Sequence, residues 1–289
     1  MRLLGLSDLH VGHEVNREAI ASLPGAPDDW LVLGGDLCES AAALEWVLDT
    51  LSPRFAKLIW VPGNHELWTT RSDRAAGRRG VTKYNHLVDL CRARGVLTPE
   101  DPYVRWPGPG PERWICPLFL LYDYSFSPDG MSVDEAKAWA KEDGIVCADE
   151  RLLEPHPFPS REAWCAHRLA LSARRLTLEV PPGARTVLIN HWPLRRDLCR
   201  LFRIPRFTPW CGSRITEDWH VRFRAEVVLS GHLHMRSTDW RDGVRFEEIS
   251  LGYPRHWQQE KGAPEYVRTV LGEGSPPDRA GDAGPFWHR

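Results

Sequence analysis

Five short apolar runs, each ending in a cluster of side chains of metal-binding type, constrain this chain more than any other feature. Residues 2–6 lead into Ser7, Asp8, Leu9 and His10, residues 30–33 into Gly34, Gly35 and Asp36, and residues 58–61 into Pro62, Gly63, Asn64, His65 and Glu66. Further on, residues 186–189 run into Asn190 and His191, and residues 226–229 into Ser230, Gly231, His232, Leu233 and His234. Apolar runs of this length, bounded by Gly and Pro, read as buried strands. Helical patterns lie between them. Leu44, Val47, Leu48 and Leu51 fall on one helix face, as do Leu169, Ala173, Leu176 and Val180 in a segment starting at Ser160. Ser132 and Glu135 have capping-box spacing for a helix through Glu142. This alternation predicts an α/β fold with central β-sheets flanked by helices, and a further strand within residues 243–251 lets the sheets pair as a sandwich.

Length and composition set the outer bounds. A domain approaching 289 residues buries roughly three quarters of its unfolded surface, so no disulfide or metal staple is needed for a core. One domain is expected over residues 1–271. From residue 272 the chain turns to Gly, Pro, Ser, Asp and Arg, which reads as a loose tail over 272–289 with Phe286 and Trp287 as a docking point. Hydrophobic residues at 42% and charged residues at 26% exclude disordered, collagen-like and coiled-coil classes. The net charge of -2 gives no reason to expect a nucleic-acid partner. No apolar run reaches membrane-spanning length, and the opening residues turn polar too soon for a signal peptide, so no membrane partner is expected. Seven cysteines, odd in number and without a CxxC pair, fit neither a disulfide framework nor a thiolate zinc site. A reducing, cytoplasmic setting is expected.

In open α/β sheets, ligands bind beyond the carboxyl ends of the strands. Here five such ends deliver Asp8, His10, Asp36, Asn64, His65, His191, His232 and His234. Hard oxygen and borderline nitrogen donors without thiolate suit Mn, Fe or Zn and are poor for Ca or a copper site. Taken singly, each cluster also fits a turn or a satisfied core histidine. Five in one chain point to a shared site.

Asp8-x-His10, Gly35-Asp36, Gly63-Asn64-His65-Glu66, His191 and Gly231-His232-x-His234, in that order, resemble the five blocks of the calcineurin-like metallophosphoesterases, and the likeness covers residues 2–251. The resemblance implies that family's sandwich fold and a phosphoric ester hydrolase working with two divalent transition-metal ions. It implies Asp8, His10 and His234 on one ion, Asn64, His191 and His232 on the other, and Asp36 bridging both. His65 is implied beside the scissile phosphate as proton donor or charge stabiliser, so that His65 and Asp36 are the expected catalytic residues. The physical logic agrees: two divalent ions about 3.5 to 4 Å apart share a hydroxide, bring its pKa towards neutrality and grip the phosphoryl oxygens during in-line displacement. Asn64 ligates without cancelling positive charge, and Gly63 lets the backbone come close.

Two features bear on the substrate. Ser/Thr protein phosphatases of this superfamily follow the bridging Asp with a second acid and an Arg, whereas Asp36 is followed by Leu37, Cys38, Glu39 and Ser40, so that branch's phosphate clamp is missing. Residues 55–69, 119–126, 239–248 and 252–255, with Asp29, Trp30 and Leu31, are similar to an actinobacterial branch that includes a hydrolase removing the phosphopantetheine arm from carrier proteins. That similarity implies a phosphodiester of the 4'-phosphopantetheine carrier-protein type. A phosphomonoesterase or nucleotide phosphodiesterase acting on a biosynthetic small molecule stays open, as does a scaffold that kept the fold and lost catalysis. Residues 195–224 hold eight arginines against three acids, with Trp192, Phe202, Phe207 and Trp210 close by. Residues 192–224 therefore read as a basic, aromatic insert or lid for an acidic holo-carrier protein or a phosphorylated small molecule. Arg200, Arg203 and Tyr124 are the expected substrate contacts. The bland alternative is codon usage, since all but five of the 37 Lys and Arg are Arg.

Overall fold

The strand pattern becomes two packed sheets in the computed structural model, which describes residues 1–288. In chain order the strands are β1 (Leu3–Leu6), β2 (Ala26–Leu33), β3 (Phe55–Trp60), β4 (Val104–Arg105), β5 (Arg113–Pro117), β6 (Arg185–Ile189), β7 (Ala225–Ser230), β8 (Ser237–Arg241), β9 (Val244–Glu248), β10 (Arg268–Leu271) and β11 (Ala283–Trp287). Among the described residues, one sheet has four strands in the order β10-β1-β2-β3 and the other has seven in the order β11-β8-β9-β7-β6-β5-β4. Strands β1, β2 and β3 run parallel, as do β5, β6, β7 and β9.

Side-chain alternation explains why the runs look continuously apolar. Val32, Ile59, Val187, Ile189, Val227 and Leu229 meet between the sheets. Their neighbours Leu31, Leu33, Leu188 and Val228 face outwards into a second cluster that includes helix residues. A strand buried on both faces cannot alternate with polar residues, and each such aliphatic side chain contributes about 1.5 to 3 kcal/mol when fully buried. The helix Ala41–Leu51 starts at Ser40, whose Oγ accepts from Ala43 N at 3.2 Å, and buries Leu44, Val47, Leu48 and Leu51. Val133–Glu142 starts at the Ser132–Glu135 capping box, and Arg161–Glu179 at Ser160. No helix among the described residues is long and apolar enough to cross a membrane.

Three expectations need correction. Strand β2 begins at Ala26, earlier than its apolar stretch, because the buried Asp29 carboxylate is satisfied by the Arg2 backbone N–H and guanidinium at 2.6 and 2.8 Å. The expected loose tail ends in β11, which pairs antiparallel with β8, puts Phe286 against Trp240 and brings Trp287 to Phe202. The expected basic, aromatic insert is less basic than its arginine count implies. It folds into the short helical turns Arg196–Leu198, Pro205–Trp210, Arg214–Thr216 and Trp219–Arg222, with Trp192, Trp210 and Trp219 buried. Acids from elsewhere in the chain neutralise much of its charge: Arg200 pairs with Asp239, Arg206 with Glu142 and Asp143, and Arg214 with Asp129.

Candidate metal centre

The carboxyl ends of the two sheets are tied to each other. Ser7, just past β1, forms a parallel bridge with Ser250, just past β9: Ser7 N donates to Ile249 O at 3.0 Å and Leu251 N to Ser7 O at 2.8 Å. Around this seam the backbone is strained. Asp8, His10, Asp36, His232 and His234 all have positive φ, between 43° and 71°. Residues with a Cβ disfavour this region by roughly 1 to 2 kcal/mol, and such outliers persist where neighbouring structure over-determines them. Here Asp8 N donates to Gly35 O at 2.8 Å, His10 N to Asp36 O at 3.1 Å, and His65 N to Asp36 Oδ1 at 2.9 Å. Close approach also requires glycine, since a Cβ on Gly63 would fall on Asp36 Oδ1 and one on Gly231 on Asp8 Oδ2.

These constraints aim the donors inwards. Asp8, His10 and His234 bring donor atoms within 4.8 Å of one another, and the sets His10, Asp36, His65 and Asp36, His191, His232 do the same. His234 Nε2 lies 2.9 Å from Asp8 Oδ1 and 3.2 Å from His10 Nε2. Asp36 Oδ2 lies 3.4 Å from His191 Nε2 and 3.8 Å from His65 Nε2, and so occupies the middle of the cluster. The fit to a cation is read from what is left unsatisfied. Asn64 spends its Nδ2 on Asp149 Oδ1 at 3.0 Å and His191 its Nδ1 on Gly34 O at 2.9 Å. Asn64 Oδ1, His191 Nε2 and His232 Nε2 are then buried without a hydrogen-bond partner. An unmade bond of this kind costs about 1 to 3 kcal/mol, and three orphaned lone-pair donors, two of them on histidines grouped with Asp36, suit a divalent ion.

The charges agree. Burial and then the neighbouring His65 push His10 down to about 3 against the pull of Asp36, and burial with His191 does the same to His232. Burial is also the largest single influence on the His191 and His65 imidazoliums and opposes them, yet the surrounding carboxylates together outweigh it, Asp36 first, with Asp8 at His191 and Glu39 and Asp149 at His65, and raise them to about 10 and about 9. Asp36 is itself held well below the usual carboxylate range by those histidines despite its burial. Such a cluster attracts positive charge strongly, and a dication competes with the protons for it.

Several supporting residues lie outside the predicted donor set, and Asp149 and His256 among them carry no strand-end signal in the sequence. Glu66 accepts from Asp36 N and Gly63 N, both at 2.9 Å, and from Leu37 N at 2.6 Å, which staples two donor loops together. Asp149 holds the Asn64 amide. Tyr253 stacks on His10 with ring centres 4.3 Å apart and its hydroxyl lies 3.5 Å from His65 Nε2, while His256 Nδ1 faces His234 Nδ1 at 2.9 Å. Glu39 Oε1 is 3.4 Å from His65 Nδ1, and Trp68 packs on the His65 ring at 3.8 Å. The expected substrate contacts fare differently. The Tyr124 side chain is buried and its hydroxyl donates to Glu150 at 2.6 Å, and Arg200 is engaged by both oxygens of Asp239 at 2.8 and 2.9 Å. Each of these polar groups is thus engaged by a carboxylate within the chain. Arg203 is exposed.

A sandwich whose strand ends gather two carboxylates, an amide and five histidines into one buried cluster defines a metal-dependent hydrolase. The chain belongs to the calcineurin-like phosphoesterase family, which it matches over residues 1–236. It is 49% identical over 271 residues to the acyl-carrier-protein phosphodiesterase PptH of Mycobacterium tuberculosis, covering 93% of this chain and 83% of that protein. The crystal structure of phosphopantetheinyl hydrolase (PptH) from the same organism superposes with a TM-score of 0.89 at 46% identity, covering 96% of this chain and 98% of that one. This chain is thus a phosphoric ester hydrolase of a family that works with divalent metal ions.

Proposed function

We propose that the chain hydrolyses the phosphodiester that joins a 4'-phosphopantetheine arm to a serine of a carrier protein. The observation that carries this reading is the extent of the likeness to PptH, which spans nearly the whole chain in sequence and backbone and is not confined to the donor loops. Asp8, His10 and His234 would hold one divalent ion and Asn64, His191 and His232 the second, with Asp36 available to both. The donor set favours Mn or Fe, with Zn as a further occupant. When bound, the ions bring the pKa of water towards neutrality and neutralise phosphoryl charge.

The remaining work falls to the chain. His65 sits beside Asp36, is left free of ligand duty by this assignment, and has Glu39 and Trp68 against its ring. Its raised affinity for a proton makes it the group that protonates the leaving serine oxygen or stabilises the charge growing there. Water adds its oxygen to phosphorus, the bond from phosphorus to the serine oxygen breaks, and that oxygen leaves with a proton. The products are apo-carrier protein and 4'-phosphopantetheine. Seven free thiols fit a reducing, cytoplasmic setting.

The test is intact-mass measurement of a holo-carrier protein incubated with Mn-loaded enzyme, beside a panel of phosphomonoesters and nucleotides. Conversion to the apo form, abolished by chelator and restored by Mn, is expected. Loaded enzyme that turns over a monoester while leaving the holo-carrier intact would sink the substrate assignment.

A further inference from the structure

The segment 201–207 leaves the metal loop and returns to it. At one end Leu201 packs in a buried cluster with Leu233, which stands between His232 and His234. At the other, the Phe207 ring lies 5.8 Å from that of His232. Between these anchors the tip faces water: Phe202 is 72% and Ile204 43% exposed. Arg203 between them is exposed and, among the described residues, forms no ion pair, whereas Arg200 and Arg206 on either side are engaged by Asp239, Glu142 and Asp143. The last strand adds to this surface. Trp287 pairs with Ser237, three residues past His234, and its ring, 39% exposed, meets that of Phe202 at 6.0 Å.

Three exposed large apolar side chains around one unpaired arginine, on the rim of a catalytic centre, have the composition of a protein-binding hot spot. The substrate reading supplies the occupant. In a serine-linked phosphodiester the phosphorus is one side chain away from a folded protein, so the protein body must rest on the rim of the centre whenever the phosphorus reaches it. We propose that Phe202, Arg203, Ile204 and Trp287 form the docking surface for the carrier protein's body, which presents an apolar face with a carboxylate near its modified serine. The inference rests on the carrier-protein reading and goes beyond it by assigning the recognition of the protein, as distinct from its arm, to the tip of the insert and the last strand. Charge complementarity decides the partner's sign: among the described residues Arg203 has no carboxylate partner, in a stretch where its neighbours Arg200 and Arg206 have found theirs.

Phe202→Ser combined with Ile204→Ser, and separately Arg203→Glu, are compared with the wild type on holo-carrier protein and on bis(p-nitrophenyl) phosphate, a small diester without a protein body. In both variants KM for the holo-carrier rises about tenfold or more, while turnover of the small diester by the Phe202, Ile204 variant stays within about twofold, the pattern of lost hot-spot contacts. Apo-carrier protein, which keeps the body and lacks the arm, inhibits small-diester hydrolysis by the wild type and loses that effect with Arg203→Glu. Unchanged KM for the holo-carrier in both variants overturns the docking surface and leaves the substrate standing. Wild-type enzyme that cleaves the small diester but not the holo-carrier overturns both. Equal losses on the two substrates show the tip acting through His232 on the centre itself, and also overturn the proposal.

Discussion

Asp149 decides which way the Asn64 amide points. It is fully buried, and a single oxygen, Oδ1, accepts from Asn64 Nδ2 at 3.0 Å and from Trp68 Nε1 at 2.6 Å. With the amide nitrogen committed there, Asn64 Oδ1 is left for the cluster. Asp149→Ala strands both donors, which at about 1 to 3 kcal/mol each removes about 2 to 6 kcal/mol of stability before relaxation. It also frees the amide to rotate. The loss of such an outer partner weakens metal binding about 10- to 100-fold, or about 1.4 to 2.7 kcal/mol. Asp149→Asn separates orientation from charge: it keeps an oxygen where both bonds converge and removes the carboxylate's charge. Calorimetric titration with Mn, paired with thermal melts, is the assay. The alanine variant should bind one ion more weakly by the stated factor and melt lower, and the asparagine variant should track the wild type in affinity. Wild-type binding of both ions by Asp149→Ala would refute the orientation argument. An asparagine variant as weak as the alanine one would show that charge, not orientation, is what Asp149 contributes.

The other expectations are briefer. His65→Ala should lower kcat about 10²- to 10⁴-fold, the usual worth of a general acid, with metal content by elemental analysis near wild type, whereas Asp36→Ala should lose metal because that carboxylate stands in the middle of the cluster; an emptied centre in His65→Ala would make it a ligand. Cys199 is the half-buried thiol, and the other six are buried, with burial raising the pKa of Cys38, Cys91, Cys116, Cys147, Cys165 and Cys211. Ellman's reagent should therefore reach at most Cys199 in the native protein and all seven after unfolding, and rapid native labelling of more than one thiol would contradict this packing.

The donors were legible in the sequence because each lies within a few residues of an apolar run, where residue type and strand end are read together. The helices were legible for a similar reason: Ser40, Ser132 and Ser160 cap them locally and the buried face repeats within one turn. What escaped was long-range pairing. The partners of Tyr124 lie 26 and 37 residues away in Glu150 and Arg161, and that of Arg200 lies 39 away in Asp239. A charge count over 195–224 cannot include Asp239 or Glu142, so the segment looked more basic than its surroundings make it. Asp149 stands in the short helix Asp149–Leu152 with no apolar pattern to mark it. Strand β11 was hidden by its Gly- and Pro-rich setting, since backbone pairing with β8 does not depend on composition.

Strand β1 lies between β2 and β10 in its sheet, and the order in which a ribosome delivers those neighbours matters. Residues 3–6 gain β2 almost at once, but their other edge is covered only by residues 268–271. At about 5 to 20 residues per second, that apolar edge stays open for roughly 10 to 50 s of synthesis, long enough to pair with the wrong strand. The donors span the same interval, from Asp8 to His234. The cluster is therefore completed only after His234 has cleared the exit tunnel, so metal binding at these donors cannot help to protect the first strand while its edge is open.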